Sequence, residues 1–259
     1  QNSTGNGITL ANSSANSNPD TLTITNSTIN NFGLAGIYAT ASGTADFNLV
    51  MNTSVGVNTI SDTPVLSGTQ TYGVALLADG GTIQASLTGA TAVATAGTGN
   101  NIISGVGVGV AASSTALGGT IDLTVAGNRI TPSQGGNYFT TQFGNSVAIG
   151  IVNRLASTPT FTATAEITGN FIRSGQTTHA VTGINVDANN GGDFILNIQN
   201  NDILMADPGS GSPRGISIAG LNGALVDATI RNNIVVNQDT TEFAAEPIYV
   251  NFVAANGAA

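Results

Sequence analysis

The segment Ile-Thr-Gly-Asn-Phe-Ile at residues 167–172 recurs as Ile-Gln-Asn-Asn-Asp-Ile at 198–203 and as Ile-Arg-Asn-Asn-Ile-Val at 230–235. Each copy contains an apolar residue, a polar residue, a two-residue Asn or Gly turn, a variable residue and a second apolar residue. Two earlier copies with the same order of residue types end at Ile29 and Ile130. A phrase that recurs along the chain predicts a fold built from repeats.

Alignment of the copies on their turns places like residues in columns. Apolar and polar residues alternate before each turn, which is typical of a strand with one buried face. Two further copies, near residues 47–49 and 83–87, keep the alternation but lack the Asn turn. The three apolar columns are Leu22, Leu123, Ala165, Leu196 and Ala228; Ile24, Val125, Ile167, Ile198 and Ile230; and Ile29, Ile130, Ile172, Ile203 and Val235.

A second phrase, a small residue followed by Ile or Val, lies between copies of the first. Its apolar residues are separated by 37, 34, 43, 33, 32 and 32 residues, and we interpret the longest interval as an insertion over residues 131–146. The near-constant later intervals predict a unit of about 32 residues. The apolar residues of this phrase are Ile37, Val74, Val108, Ile151, Ile184, Ile216 and Ile248.

Strands that repeat at this spacing predict an all-β fold, a parallel β-helix (β-solenoid) of about seven coils with loop insertions. A helix would need apolar spacings of three and four, which these segments lack. We expect residues 1–20 to form an irregular N-terminal coil or cap, and residues 21–259 to form the solenoid. Residues 251–259 offer neither charge nor an amphipathic cap, so we interpret the chain as a piece of a longer array.

The Asn and Gly residues of the turns have a structural interpretation. Both residue types tolerate the left-handed backbone conformation that a tight bend requires, and stacked Asn side chains can form a hydrogen-bonded ladder. A binding role is the alternative. The residues concerned are Asn26, Gly127, Asn128, Gly169, Asn170, Asn200, Asn201, Asn232 and Asn233.

The repeats at 167–172, 198–203 and 230–235, which alternate with Gly-Ile-x-Val, resemble those of the right-handed parallel β-helices of the pectin-lyase-like superfamily. The resemblance extends over residues 21–253 and implies a right-handed solenoid. That superfamily includes polysaccharide lyases, glycoside hydrolases, phage tailspikes and surface passengers. The Thr/Asn/Gly-rich, Cys-free chain most resembles the passenger regions of bacterial autotransporters and other large surface adhesins. This resemblance implies an extracellular location on the bacterial cell surface.

Composition restricts the classes of partner. The chain has no Lys, five Arg and fourteen acidic residues, which gives a net charge of −9. Such a chain is not expected to bind nucleic acid, which is recognised through clustered basic residues. No apolar run approaches the roughly 20 residues needed to cross a bilayer, so we expect no direct membrane insertion. The remaining partners are a receptor or glycan on a host or neighbouring cell, or other copies of the chain.

The residues that carry chemistry do not form a recognisable catalytic site. Asp122 and Asp227 share an outward column but lie three coils apart, roughly 14 Å, which is too far for a glycosidase pair. Glu166 has Asn197 and Thr229 in its column. We therefore predict no catalytic residue.

No metal or cofactor site is predicted either. His179 is the only histidine, and no Cys is available as a ligand. Asp187, Asp193 and Asp202 flank a Gly/Asn-rich turn where one Ca²⁺ is the alternative to solvated acids. The glycines of residues 105–109 are not followed by a helical pattern, so no dinucleotide loop is expected.

The insertion contains an aromatic segment, Asn137, Tyr138, Phe139 and Phe143, which could protrude as a binding loop or pack against the solenoid. Three functions follow as hypotheses. The first is a non-catalytic structural and adhesive module, the second a polysaccharide lyase or hydrolase, and the third a self-assembling extracellular fibre subunit.

Overall fold

The computed structural model describes residues 5–13, 19–62, 71–89, 100–133, 146–153, 160–173, 181–189, 191–205, 214–237 and 246–252. These residues form strands and no helix. In chain order the strands are β1 (Ile8–Asn12), β2 (Asp20–Ile24), β3 (Thr28–Asn30), β4 (Ala35–Ser42), β5 (Asp46–Asn52), β6 (Thr59–Ser61), β7 (Tyr72–Asp79), β8 (Thr82–Thr88), β9 (Ile102–Ser104), β10 (Val108–Ser114), β11 (Gly119–Ala126), β12 (Arg129–Thr131), β13 (Ser146–Asn153), β14 (Phe161–Thr168), β15 (Phe171–Arg173), β16 (Val181–Ala188), β17 (Asp193–Gln199), β18 (Asp202–Met205), β19 (Arg214–Gly220), β20 (Leu225–Arg231), β21 (Ile234–Asn237) and β22 (Glu246–Phe252).

The strands form three parallel sheets, which we name A, B and C. Sheet A contains β1, β4, β7, β10, β13, β16, β19 and β22; sheet B contains β2, β5, β8, β11, β14, β17 and β20; and sheet C contains β3, β6, β9, β12, β15, β18 and β21. Each strand pairs with the strand three places further along the chain, so the chain visits the sheets in the order A, B, C and returns to A. This arrangement confirms the predicted parallel β-solenoid.

The core lies between the three sheets and is built from the predicted columns. Val125, Ile167, Ile198 and Ile230 are successive neighbours in sheet B. In sheet C, Ile130 pairs with Ile172, which pairs with Ile203. Most of these side chains are fully buried. Because equivalent residues stack from coil to coil, the apolar columns form one continuous core.

A column of small residues lies at the corner where sheet C leads into sheet A. A Cβ atom built on Gly183 would lie 2.5 Å from the carbonyl oxygen of Gly215 and 2.7 Å from Cγ2 of Ile203. Larger side chains at this corner would collide with the inward Ile of sheet C and with the neighbouring backbone. The equivalent residues are Gly7, Gly36, Gly73, Gly109, Ala148, Gly183 and Gly215.

The alignment of the second phrase is wrong in two coils. Val74 pairs with Val110, not with Val108, and Ile184 pairs with Ile149, not with Ile151. The intervals between equivalent residues are therefore 37, 36, 39, 35, 32 and 32. A slip of two residues preserves the alternation of apolar and polar residues, so the sequence pattern could not reveal it.

The N-terminal segment is more regular than the sequence predicts. An irregular coil is expected over residues 1–20, whereas Ile8–Asn12 forms strand β1 and pairs with β4 through Ile8 and Ile37. Ile8 and Leu10 pack against the core. Their alternation with polar residues is the signal of a strand, although the Asn- and Ser-rich surroundings hide it.

The two ends of the described solenoid differ in polarity. At the C-terminal end, the inward residues Ile248 and Val250 are 49% and 48% exposed. At the N-terminal end, Asp20 pairs with Phe47 and therefore occupies a position in a core column. A carboxylate in a core column opposes further stacking there, whereas the opposite end presents apolar residues. No helix that is long and apolar enough to span a membrane was found among the described residues.

Candidate functional site

In five coils the bend between sheets B and C is a two-residue turn with a fixed division of roles. Its first residue has a left-handed backbone, with φ of 47° at Asn26, 63° at Gly127 and 56° at Asn200. Asn and Gly are the residues that adopt this conformation at low cost. Gly169 and Asn232 have the same conformation. Five of the nine predicted turn residues therefore act through their backbone.

In four of these turns the second residue is an Asn that belongs to a ladder of Asn side chains, which we name the Asn ladder. It comprises Asn58, Asn101, Asn128, Asn170, Asn201 and Asn233, and each of the first five donates from Nδ2 to Oδ1 of the next residue in this order at 2.8–3.2 Å. Nδ2 of Asn170 also donates to the carbonyl oxygen of Val125 at 2.8 Å, and Nδ2 of Asn201 donates to that of Ile167 at 2.9 Å. The ladder thus satisfies buried backbone groups as well as its own amides.

Sequence reasoning missed Asn58 and Asn101, which extend the ladder into the two coils where no Asn turn directly follows the strand of sheet B. Asn58 is 1% exposed and Asn101 is fully buried. In these coils a longer segment separates the strand of sheet B from the Asn residue. The signal that could have found them is Asn-x-Ile: Asn58 precedes Ile60 by two residues, as Asn128 precedes Ile130. Ser27 occupies the equivalent position in the first coil, and its backbone N–H donates to Oδ1 of Asn58 at 3.1 Å.

The predicted aromatic binding loop, Asn137, Tyr138, Phe139 and Phe143, lies outside the described residues, as does His179. The three acids considered for Ca²⁺ are on different surfaces: Asp187 on sheet A, Asp193 on sheet B and Asp202 on sheet C. Asp202 forms an ion pair with Arg173 at 2.7 Å. Among the described residues, no group of three or more His, Cys, Asp or Glu side chains could hold a metal ion.

Part of the outer face of sheet A is covered, most completely at β13. Val152 points away from the core yet is fully buried, and Ala111 on the same face is 3% exposed. They belong to a second apolar cluster that also contains Tyr72, and burial raises the pKa of the Tyr72 hydroxyl far above its usual range. Burial and, to a lesser extent, the negative charge of Asp79 raise the pKa of Tyr38. A face covered in this way offers little open surface to a ligand.

The outer face of sheet B, by contrast, carries an open groove of about 340 Å³, which we name the sheet B groove. It runs across β11, β14, β17 and β20. Its outward lining residues are Asp122, Thr124, Thr164, Glu166, Ile195, Asn197, Asp227 and Thr229. Three strand steps separate β11 from β20, so the groove extends roughly 14 Å along the solenoid axis.

Three carboxylates lie in this groove, in the register that the sequence predicts. Asp122 pairs with Thr164, Thr164 with Ile195, and Ile195 with Asp227. Glu166 pairs with Asn197, one step from Thr164 along β14. Ion pairs in the described part of the chain join Arg173 to Asp202 and Arg214 to Glu246, and none involves the three acids of the groove.

The diagonal relationship between Asp122 and Glu166 was not recognised from the sequence. Glu166 is one strand and two residues away from Asp122, which corresponds to a backbone separation of about 8 Å. The sequence analysis compared residues only within one column. Asp122 and Glu166 are in neighbouring outward columns, so their proximity was missed.

The middle of the groove combines an apolar and a polar side chain. Ile195 is 57% exposed, although it lies on a face that otherwise carries mainly polar residues. Beside it, Oδ1 of Asn197 is buried and has no hydrogen-bond partner in the structure. The groove therefore offers an apolar platform with hydrogen-bonding groups around it.

Comparison with known proteins adds no identification. No protein-family model matches the chain, and no similar curated protein or solved structure was found. The class that the structure defines is the parallel β-solenoid, and function has to be argued from the surfaces described above.

Proposed function

We propose that this chain is a non-catalytic structural and adhesive module, a stiff solenoid that carries binding surfaces away from a cell. The observation that carries the proposal is the Asn ladder. It runs beside three continuous sheets and links the coils from Asn58 to Asn233 through buried side chains. Buried and fully satisfied polar networks rigidify a structure.

The composition supports a role outside the cell. The chain has no Cys, so its fold cannot depend on disulfide bonds. Its stability should therefore be the same under reducing and oxidising conditions. The resemblance of the repeats to the pectin-lyase-like superfamily, and to passenger regions of bacterial autotransporters, favours attachment to the surface of a bacterial cell. The partner would be a receptor or glycan on a host or neighbouring cell.

Adhesion is tested with beads coated with the purified chain and incubated with epithelial cells and with bacterial cells. We expect more beads on the cells than in an albumin-coated control, and we expect the soluble chain to compete. Equal numbers of coated and control beads on every cell type would eliminate the adhesive part of the proposal. The stiffness is measured separately by small-angle X-ray scattering, where a flexible chain profile would contradict a rod.

A polysaccharide-active enzyme is the second candidate, and the diagonal pair Asp122 and Glu166 favours it. Inverting glycosidases use two carboxyl groups about 6.5–9.5 Å apart, and the backbone separation of this pair is compatible with that range. The enzyme hypothesis is checked by the release of reducing ends or unsaturated products from neutral and acidic polysaccharides. Product release that both Asp122→Asn and Glu166→Gln abolish would establish it in place of the adhesive module.

A self-assembling fibre subunit is the third candidate. The exposed inward residues Ile248 and Val250 at the C-terminal end favour it, because unpaired strand edges with apolar residues promote association. Asp20 in the core column at the N-terminal end opposes simple head-to-tail stacking. Within the described residues, sheet A has one strand more than sheets B and C, so direct stacking of these residues from two copies would place a strand of sheet A beside another strand of sheet A.

A further inference from the structure

We propose that Asn52 is a site of N-linked glycosylation, at which a sugar is attached to the side-chain amide nitrogen. The acceptor motif Asn-x-Ser/Thr occurs at Asn2, Asn12, Asn26 and Asn52. Asn2 lies outside the described residues, so the structure distinguishes among the other three. This inference goes beyond the adhesive function and does not depend on it.

The Asn52 motif lies in an exposed connection between sheets B and C. Asn52 is the last residue of β5, and residues 53–57 lie outside all three sheets. In the described part of the chain, no backbone–backbone hydrogen bond involves residues 53–57. Ser54 is exposed, and Val55 is 74% exposed. A segment with so few hydrogen bonds can bend into the cleft of a modifying enzyme while the sheets stay closed.

The two ends of the Asn52 amide differ in their contacts. Oδ1 accepts a hydrogen bond from the backbone N–H of Ser54 at 3.1 Å and another from its Oγ at 2.5 Å. Among the described residues, Nδ2 of Asn52 has no hydrogen-bond partner. Ser54 is the third residue of the motif, and its hydroxyl group thus holds the amide by its oxygen. The nitrogen, which is the atom that receives the sugar, is left available.

The modification is a group transfer to this nitrogen. Nδ2 of Asn52 attacks the anomeric carbon of a sugar that is activated as a diphosphate ester of a nucleotide or of a lipid. The C–N bond forms as the C–O bond to the diphosphate breaks. The diphosphate leaves with the bonding electrons, and a base of the glycosyltransferase takes up the amide proton.

Asn12 carries the same motif but is not accessible in the folded chain. It is 8% exposed, and its Nδ2 donates to the carbonyl oxygen of Asp46 at 2.9 Å. Asn12 is also the last residue of β1 and pairs with Ala41 of β4. Because modification of Asn12 would require part of sheet A to open, we expect none in the folded chain.

Asn26 is exposed, but its motif is fixed in the turn between sheets B and C. The backbone N–H of Ser27 donates to Oδ1 of Asn58 at 3.1 Å, and the carbonyl oxygen of Ser27 accepts from the N–H of Thr59 at 2.8 Å. Thr28 is the first residue of β3 and pairs with Thr59. This motif cannot bend towards an enzyme unless those bonds break. The structure therefore favours Asn52 over both other sites.

A glycan on Asn52 is compatible with the solenoid and covers an exposed apolar residue. It would project from the corner between β5 and β6, so the stacking of the coils is not interrupted. Attached glycans are bulky and solubilising, and Val55 lies only three residues away. We therefore expect the glycan to shield Val55 from solvent and from other proteins.

The experiment uses the complete folded chain in two arms that distinguish the sugar donors. One arm contains an Asn glucosyltransferase with UDP-glucose, and the other an oligosaccharyltransferase with a lipid pyrophosphate-linked oligosaccharide. Both enzymes are chosen because they modify synthetic peptides that span Asn12, Asn26 and Asn52. Mass spectrometry of proteolytic fragments gives the occupancy of each site. We expect Asn52 to be modified in at least one arm, at least about tenfold more than Asn12 or Asn26, which require local unfolding.

Variants of the motif locate the requirement for the hydroxyl group. Ser54→Ala should lower the occupancy of Asn52 by about tenfold or more, because a hydrogen-bond donor to Oδ1 is lost. Ser54→Thr keeps a hydroxyl group and should retain the modification. Thr53→Ala alters the neighbouring residue and is the matched control. All three variants should unfold at the same temperature as the wild type, since residues 53–57 lie outside the sheets.

The chain purified from the cells that produce it is the decisive sample. A sugar mass on the fragment that contains Asn52 would confirm the proposal, and an unmodified Asn52 in that sample would overturn it. In the enzyme assays, an unmodified Asn52 in the folded chain would overturn it as well, because the matching peptide is a substrate. Equal occupancy of Asn12 or Asn26 in the folded chain would show that the contacts described here do not select the site.

Discussion

Oδ1 of Asn201 accepts two hydrogen bonds from Asn170, one from its Nδ2 at 2.9 Å and one from its backbone N–H at 3.0 Å. Both side chains are 1% exposed. This one amide therefore closes the turn of the preceding coil and continues the Asn ladder. The position requires an acceptor on one side and an N–H donor on the other, which only a carboxamide of this length provides.

Replacement of the Asn170 carboxamide by a carboxyl group should make the stability of the chain depend on pH. In Asn170→Asp the introduced group faces Oδ1 of Asn201 and the carbonyl oxygen of Val125, both acceptors, so its neutral form is favoured and its folded-state pKa is raised. The variant should lose about 3 kcal/mol or more of unfolding free energy at pH 7.

The loss in Asn170→Asp should shrink as the pH falls from the raised folded-state pKa towards the unfolded-state pKa of about 4, below which both states are protonated. Urea unfolding at several pH values measures the effect. Asn30→Asp, an exposed outward position on β3, is the control. A loss of stability that is the same at pH 3 and pH 7 would contradict the role given to the amide.

Gly183 should tolerate only the smallest substitution. Its Cβ would contact Gly215 and Ile203, but Ala148 occupies the equivalent position one coil earlier. We therefore expect Gly183→Ala to cost about 1–3 kcal/mol and Gly183→Val clearly more.

The matched control for Gly183→Val is Ala126→Thr, which adds a branched side chain on the outer face between Thr88 and Thr168. This control should be nearly neutral in thermal unfolding. Equal stability of Gly183→Val and the wild type would show that the corner can relax, against the packing described here.

Tyr72 should contribute to unfolding at alkaline pH. Burial raises its pKa, so the neutral hydroxyl is favoured in the folded chain. The stability associated with this group is present below the unfolded-state pKa of about 10 and is lost as the pH rises beyond it.

The free energy of unfolding of the wild type should thus fall between about pH 10 and 12, and that of Tyr72→Phe should fall less steeply. Denaturant unfolding followed by circular dichroism gives both slopes. Tyr249→Phe retains the ring over which Arg214 lies and is the control. Identical slopes for wild type and Tyr72→Phe would refute the assignment.

The apolar C-terminal end should promote association at high concentration. Ile248 and Val250 expose about half of their surface on β22, the last strand of sheet A among the described residues. We expect the weight-average mass from light scattering to rise with concentration, and Val250→Lys to suppress the rise, because inward-facing charges protect sheet edges. Asn251→Lys adds the same charge on the outer face and should suppress less. A wild type that stays monomeric at every concentration would remove the fibre hypothesis.

The sequence was informative where a repeat and its turn lie close together. An Asn or Gly turn begins two residues after each of Val125, Ile167, Ile198 and Ile230, so these residues could be aligned. A register error of one residue would have placed the whole apolar column on the solvent face. The correct register of Asp122, Thr164, Ile195 and Asp227 follows from the same alignment.

The features that could not be predicted depend on loop lengths and on contacts between strands. The alternation of apolar and polar residues gives no information about either. Asn58 and Asn101 follow insertions, so their spacing from the strands of sheet B differs from that of Asn128. The shift from Val108 to Val110 leaves the alternating sequence pattern intact, although Val110 lies in the main core and Val108 in the second apolar cluster. The groove and its Asp122–Glu166 diagonal arise only when four strands stand side by side, and the covering of Val152 involves contacts outside its own repeat.

The serial arrangement of the coils has a mechanical consequence. Each coil is held by its two neighbours, so a force applied to the two ends of the chain would peel coils from an end one at a time. The last two coils repeat at intervals of 32 residues, so each rupture there releases about 110 Å of extended chain. Under tension the molecule would thus lengthen in a series of similar steps and dissipate work at each one. The coils that have not yet opened would keep their surfaces intact.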